Sequence, residues 1–213
     1  MEIQKYEEIK IFKDNLSSFR ETSRDTDGQE AGCMTNSEIQ VINFDKVKES
    51  YIKDMKLSFT PCSNDALYID KNGDLYFIEF KNGIMTRPMI FNVYNKIYDS
   101  LLIFNDIVGQ NISFCRKHVN FILVYNESKN LSEDYNNEGK NLSGNYDNKG
   151  KNLSKDGKIK NQDCSKAKIG KYLYSKAKKK YIRFGLERFE KLYFQEVFTY
   201  TQQEFEDSFL LSS

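Results

Sequence analysis

Cys62-Ser-Asn-Asp-Ala-Leu-Tyr-Ile-Asp-Lys-Asn-Gly-Asp-Leu-Tyr-Phe-Ile-Glu-Phe-Lys81 decides how this chain is read. Two short apolar runs flank Lys71-Asn72-Gly73, a cluster of turn-forming residues. Asp65 opens the first run, and Glu79-Phe80-Lys81 closes the second. Two acids and a lysine at the ends of paired strands otherwise rich in Ile, Leu, Phe and Tyr point to metal-dependent phosphodiester chemistry.

Whether the two acids meet depends on the turn. A two-residue Asn-Gly turn pairs Lys71 with Asp74 and sets Asp65 opposite Phe80, so that Asp65 and Glu79 face opposite sides of the sheet. A three-residue loop closed by Gly73 in the left-handed region pairs Asp70 with Asp74 and sets Asp65 opposite Glu79, with Cβ atoms about 4.5–5.5 Å apart. Asp70 at the first turn position and Gly73 at the left-handed one favour the three-residue loop. That register puts Leu67, Ile69, Leu75, Phe77 and Lys81 on the face of the two acids, and Ala66, Tyr68, Tyr76, Ile78 and Phe80 on the other. Both faces are apolar, which predicts a hairpin inside a layered α/β domain.

The chain of 213 residues is long enough for one domain with a substantial core. Hydrophobic residues make up 39% and aromatics 14% of it, so a folded core is expected. The charged residues, 30% of the chain, nearly cancel to a net +1, so a nucleic-acid partner has to be met by a local basic patch. The 4 cysteines are scattered and form no C-x-x-C pair. With no signal-peptide-like start and no apolar run able to span a bilayer, a cytoplasmic setting without membrane association is predicted. The single histidine, His118, precedes an apolar run and reads as structural, which sets aside a Ser-His-Asp triad.

Around the hairpin, residues 2 to about 19 carry apolar positions at helical spacing, with a strand near Ile9-Lys10-Ile11 as the alternative. Residues 20–37 read as a loop. Asn43 offers a helix cap before Phe44, Val47, Tyr51 and Met55. After Lys81, Arg87-Pro88 suits a helix start, and Ile90, Tyr94, Ile97, Leu101, Phe104 and Val108 form one stripe ending near Gly109. Lys96 lies off that stripe, as an exposed lysine able to reach a phosphate. Val119–Tyr125 and Leu192–Tyr200 read as strands, the second followed by the capping box Thr201-Gln-Gln-Glu204 and a short helix.

Lys-Asn-Leu-Ser recurs at 129–132, 140–143 and 151–154 within an Asn-, Gly- and Lys-rich tract. With so few core-forming residues, 126–164 is expected to be a disordered low-complexity insertion. Residues 165–186 hold no acid. Within them Lys171, Lys176, Lys178, Lys179 and Lys180 alternate with tyrosines, a composition suited to phosphate backbones and base stacking. The expected organisation is one α/β domain from 1–125 and 181–213, interrupted by that insertion and a basic segment at 165–180.

Asp65 and Glu79 on neighbouring strands supply the hard oxygen ligands that Mg²⁺ or Mn²⁺ accepts, with the Phe80 carbonyl as a further oxygen. Lys81, on the same face as Glu79, is placed to hold the attacking water or offset phosphoryl charge. Asn64-Asp65, the hairpin and Glu79-Phe80-Lys81 together resemble the motif of the PD-(D/E)xK nuclease superfamily, and the order of helix, hairpin, helix and strand over residues 44–125 is similar too. Asn64 stands where the superfamily has proline, and the helix after Lys81 has no Gln-x-x-x-Tyr element.

The resemblance implies a restriction-endonuclease-like fold, a mixed central β-sheet flanked by helices. It also implies Mg²⁺-dependent hydrolysis of DNA or, less often, RNA, with Asp65, Glu79 and Lys81 as the catalytic residues. A further helical acid of the kind some members carry would be Glu49 or Glu38. The competing reading is a catalytically inactive nuclease fold that binds nucleic acid or another protein.

Overall fold

Asp70 and Asp74 close the hairpin around a three-residue loop. The Gly73 amide donates to the Asp70 carbonyl at 2.9 Å, and the Asp70 amide donates to the Asp74 carbonyl at 3.0 Å. The Asp70 carboxylate accepts from the Asn72 and Asp74 amides at 2.9 and 2.8 Å. Gly73 has a φ of 85°, which a side chain would oppose. Strand β3 (Ala66–Ile69) therefore pairs with β4 (Leu75–Lys81) from Ile69↔Leu75 to Ala66↔Ile78. One further step in that register sets Asp65 opposite Glu79, the arrangement that the turn residues favour.

The computed structural model describes residues 6–25, 32–130 and 181–211. Lys171, Lys176, Lys178, Lys179 and Lys180, and the expected insertion from 131 onward, lie outside the described residues. The described chain is α/β. Its six-stranded mixed sheet has the order β1 (Leu16–Ser18), β2 (Gln40–Asn43), β3, β4, β5 (Val119–Tyr125) and β6 (Val197–Thr201). From β1 to β4 each strand runs antiparallel to the one before it, while β4, β5 and β6 run parallel to one another. Parallel pairing needs a crossover, which helices α4 (Arg87–Val108) and α5 (Ile112–His118) supply between β4 and β5.

Each face of the sheet buries its own apolar cluster. Leu67, Leu75 and Phe77 pack beneath α4 and α3 (Phe44–Met55), where Phe77 meets Phe44 edge-on at 4.9 Å and Phe104 at 5.7 Å. Ala66, Tyr68, Ile78 and Phe80 face the other way, against Phe19, Phe205 and Phe209. Phe19 belongs to a short helix, α2 (Phe19–Thr22), and Phe205 and Phe209 to a π-helical turn spanning Phe205–Leu210. The face assignment drawn from strand alternation holds, and β5 is buried along its whole length.

Helix α4 follows its expected stripe. Thr86 caps it by accepting from the Met89 amide, Pro88 occupies its first turn, and Gly109 ends it at φ 63°. Asn43 caps α3 through the Lys46 amide, and Thr201 with Glu204 forms the expected capping box.

Other expectations are corrected. The N-terminal stretch is not one helix: a 3-10 turn at Tyr6–Glu8 and α1 (Lys10–Lys13) precede strand β1. Asn15 interrupts it by turning its side chain back onto the Ile11 carbonyl at 2.8 Å. The loop expected at 20–37 begins with α2 and ends just before β2, a strand too short to show alternation. The last strand covers only Val197–Thr201, because the chain turns first, with the Tyr193 and Phe194 amides donating back to the Phe189 carbonyl at 3.0 and 3.2 Å.

Residues 126–130 belong to the domain and not to an insertion. Asn130 is buried; its side chain accepts from the Met85 amide at 2.8 Å and donates to the Gly83 and Asn126 carbonyls. Arg183 donates to the Tyr125 hydroxyl at 2.8 Å and to the Asn130 carbonyl at 3.3 Å, so its charge is used inside the fold. Among the described residues Cys33, Cys62 and Cys115 are free thiols, and no helix is long and apolar enough to cross a membrane.

Because the hairpin register hangs on a left-handed Gly73, Gly73→Ala is expected to lower stability by about 1 kcal/mol, read by urea denaturation. An unchanged midpoint would mean that the turn tolerates a side chain and does not fix the register.

Candidate active site

Asp65 sits just ahead of β3 because its neighbours fix the backbone there. The Asp65 carbonyl accepts from the Phe44 amide at 3.1 Å, at the start of α3. The preceding segment is tied to α4: the Cys62 amide donates to Asp99 and the Asn64 amide to the Ser100 hydroxyl, both at 2.8 Å. The helix that carries Ser100 also carries Lys96 one turn earlier, so the same attachment brings Lys96 over the acids.

Four charged side chains converge. Lys96 Nζ lies 3.0 Å from Asp65 Oδ1 and 2.6 Å from Glu79 Oε1, and Lys81 Nζ lies 2.7 Å from that same Glu79 oxygen. The Phe80 amide donates to Asp65 Oδ2 at 2.7 Å, and Asn64 Nδ2 donates to Glu79 Oε2 at 3.3 Å. The Glu79 side chain is 0% exposed, against 15% for Asp65, 16% for Lys81 and 17% for Lys96. Asn64 Oδ1, also buried, has no hydrogen-bond partner.

The two acids and two lysines sum to zero formal charge. Burial, and next the charge of Glu79, push the Asp65 carboxyl up to about 7, although Lys96, Lys81 and the Phe80 amide oppose the shift. Burial disfavours the charge on Lys96, but Glu79 and Asp65 outweigh it and raise its pKa above the ordinary lysine range.

Asp65, Lys81 and Lys96 open into a cleft of about 630 Å³, whereas Glu79 does not reach its surface. Glu21, Asp25 and Asp45 on the cleft wall add acidity, and Arg24 and Lys129 add basic groups. Glu21 is paired with Arg24 at 2.8 Å. Phe80 lines the cleft as well, while its ring packs into the second apolar cluster.

Asp65, Glu79, Phe80 and Lys81 are thus brought together as expected from the sequence. Lys96 is corrected: it is not a peripheral lysine but the cation shared by both acids. Glu49 is exposed, and Glu38 is paired with Arg20 at 3.1 Å on the surface; neither lines the cleft. Glu21, on α2, does line the cleft, but it too is paired with an arginine, Arg24.

All oxygen donors here are hard, and two carboxylates with one buried unpartnered amide oxygen beside them suit Mg²⁺ or Mn²⁺. Among the described residues, no group of three or more His, Cys, Asp or Glu side chains is arranged to hold a metal ion. An ion here would need backbone, water or substrate oxygen to complete its shell. Comparison of the chain with protein-family models, curated proteins and solved structures finds no match, so the site is read from its own geometry.

A carboxyl with a folded-state pKa above its unfolded value makes folding less favourable as pH rises between the two. The stability difference between wild type and Asp65→Asn should therefore move in the variant's favour from about pH 4 to about pH 7, and be flat above. Chemical denaturation across that range measures it; a pH-independent difference would show that Asp65 keeps an ordinary pKa.

Proposed function

We propose that this protein is a divalent-metal-dependent nuclease of the restriction-endonuclease-like kind, hydrolysing phosphodiester bonds of DNA, with RNA as the second candidate. The observation that carries this reading is the hairpin register: it sets Asp65 opposite Glu79, with Lys81 beside them at a polar cleft. The mixed sheet and the helices on its two faces are compatible with that fold family.

In this reading Asp65, Glu79 and the Phe80 carbonyl would hold a Mg²⁺ or Mn²⁺ ion. The bound ion would polarise the phosphodiester and acidify a water molecule. Lys81, fixed to Glu79 at 2.7 Å, orients that water and offsets charge developing on the phosphoryl oxygens. Asn64 steadies Glu79 from behind. Lys129 on the cleft wall supplies positive charge for the polyanion, which a chain of net charge +1 must provide locally, while Arg24 beside it is paired with Glu21.

A second reading is favoured by one specific observation. Lys96 already bridges the two acids, so the site is neutral without a metal, as in a nuclease fold retained for binding alone.

Incubation with single- and double-stranded DNA and RNA, with Mg²⁺ or Mn²⁺ and with EDTA, separates the two. Cleavage is expected only with metal, and Asp65→Ala and Lys81→Ala should each reduce it by about 100-fold or more. Folded protein that cuts none of these substrates with either metal would sink the nuclease reading and leave the binding module.

A further inference from the structure

We infer that Lys96 is a built-in competitor for the metal: its ammonium occupies the position between Asp65 and Glu79, and a divalent ion loads only when that ammonium swings out into the cleft. The inference rests on the nuclease reading and adds a mode of regulation to it.

Position is the first support. Lys96 Nζ contacts one oxygen of each carboxylate, at 3.0 and 2.6 Å, whereas Lys81 contacts Glu79 alone. Lys96 therefore stands where a shared cation between two facing acids belongs. Access is the second support. Glu79 is wholly buried and absent from the cleft surface, while Asp65, Lys81 and Lys96 all line the cleft. An ion arriving from solvent finds Asp65 first and reaches Glu79 only after an ammonium has moved.

Contact decides which ammonium must leave, since Lys96 touches both acids and Lys81 only Glu79. Lys96 hangs from α4 on a flexible four-carbon stem and borders the cleft, so it can rotate outward without disturbing the helix. With Lys96 in place and both carboxyls ionised the four groups are neutral, and adding a dication leaves a double positive charge among side chains that are at most 17% exposed. With Lys96 withdrawn, Asp65, Glu79, Lys81 and the dication sum to a single positive charge, suited to a phosphodiester anion. The displaced ammonium then lies in the cleft where the nucleic-acid backbone would pass and can pair with phosphate. Metal and nucleic acid should accordingly bind cooperatively, each favouring the conformer with Lys96 turned out.

Mn²⁺ binding tests this without reference to activity. Electron paramagnetic resonance titration of free Mn²⁺ should show Lys96→Met binding about tenfold more tightly than wild type, because the competent conformer is no longer a minor one. Lys81→Met, which frees only one contact to Glu79, should change the affinity less. Equal affinities for wild type and Lys96→Met would overturn the competition while leaving a metal site in place. No binding by either protein would overturn the metal-dependent reading itself.

If Lys96→Met does not fold, the wild-type protein decides. Acetylation of Lys96 by an amine-reactive ester, followed by mass spectrometry, should accelerate when Mn²⁺ is added, as the released ammonium becomes accessible. Unchanged acetylation at Mn²⁺ concentrations that fill the site would overturn the inference.

Discussion

Glu79 carries its carboxylate to a place without contact with water, and the surrounding architecture answers that charge. Moving an isolated carboxylate into a protein interior costs several kcal/mol, so cations and donors have to reach it. Lys81 comes from two residues along the same strand, Lys96 from α4, and Asn64 from the approach to β3. Asp65 belongs to the same balance, since its position opposite Glu79 gives Lys96 a second anion to bridge. Moving the hairpin by one residue would turn Asp65 to the opposite face and leave the lysines with one acid to share.

The two apolar clusters make this arrangement rigid. Phe77 and Phe80 stand on opposite faces of β4, and each is held by rings from separate helical segments. Neither cluster can adapt to a shifted strand without parting several aromatic contacts, since interiors packed this closely resist displacement. The site therefore inherits its geometry from the core: Glu79 and Lys81 alternate with Ile78 and Phe80 on a strand that has no freedom to slide.

What the sequence made legible follows the strength of each local signal. Asp70 and Gly73 specify a turn, and the turn specifies the register and the pairing of Asp65 with Glu79. The long stripe of α4 and the apolar run of β5 were equally plain. Strands β1 and β2, with three and four residues, were too short for a period to be counted. The place of Lys96 is not legible, because position on a helix reveals which face a residue takes but not what that face meets; the attachment of Ser100 and Asp99 to residues 62–64 turns it toward the acids. Asn130 teaches the same lesson. Its Lys-Asn-Leu-Ser motif is identical to two later copies, and its burial comes from lying beside Gly83 and Met85, a proximity that composition does not record.

A cluster of two acids and two lysines at the end of an otherwise apolar hairpin is hard to account for as a device for stability. Buried ion pairs recover little beyond their desolvation cost, and apolar residues of similar volume often serve a core better. Here burial, and next the charge of Glu79, also push the Asp65 carboxyl up to about 7 against the pull of the lysines, and a buried amide oxygen on Asn64 has no partner. Each of these is a strain on the folded state, and all three lie within a few side chains of one another at the floor of one cleft. Strained, charged and accessible groups gathered at one place are what a site for chemistry requires. A purely structural role would favour their dispersal, whereas here Lys96 contacts both acids, at 3.0 and 2.6 Å.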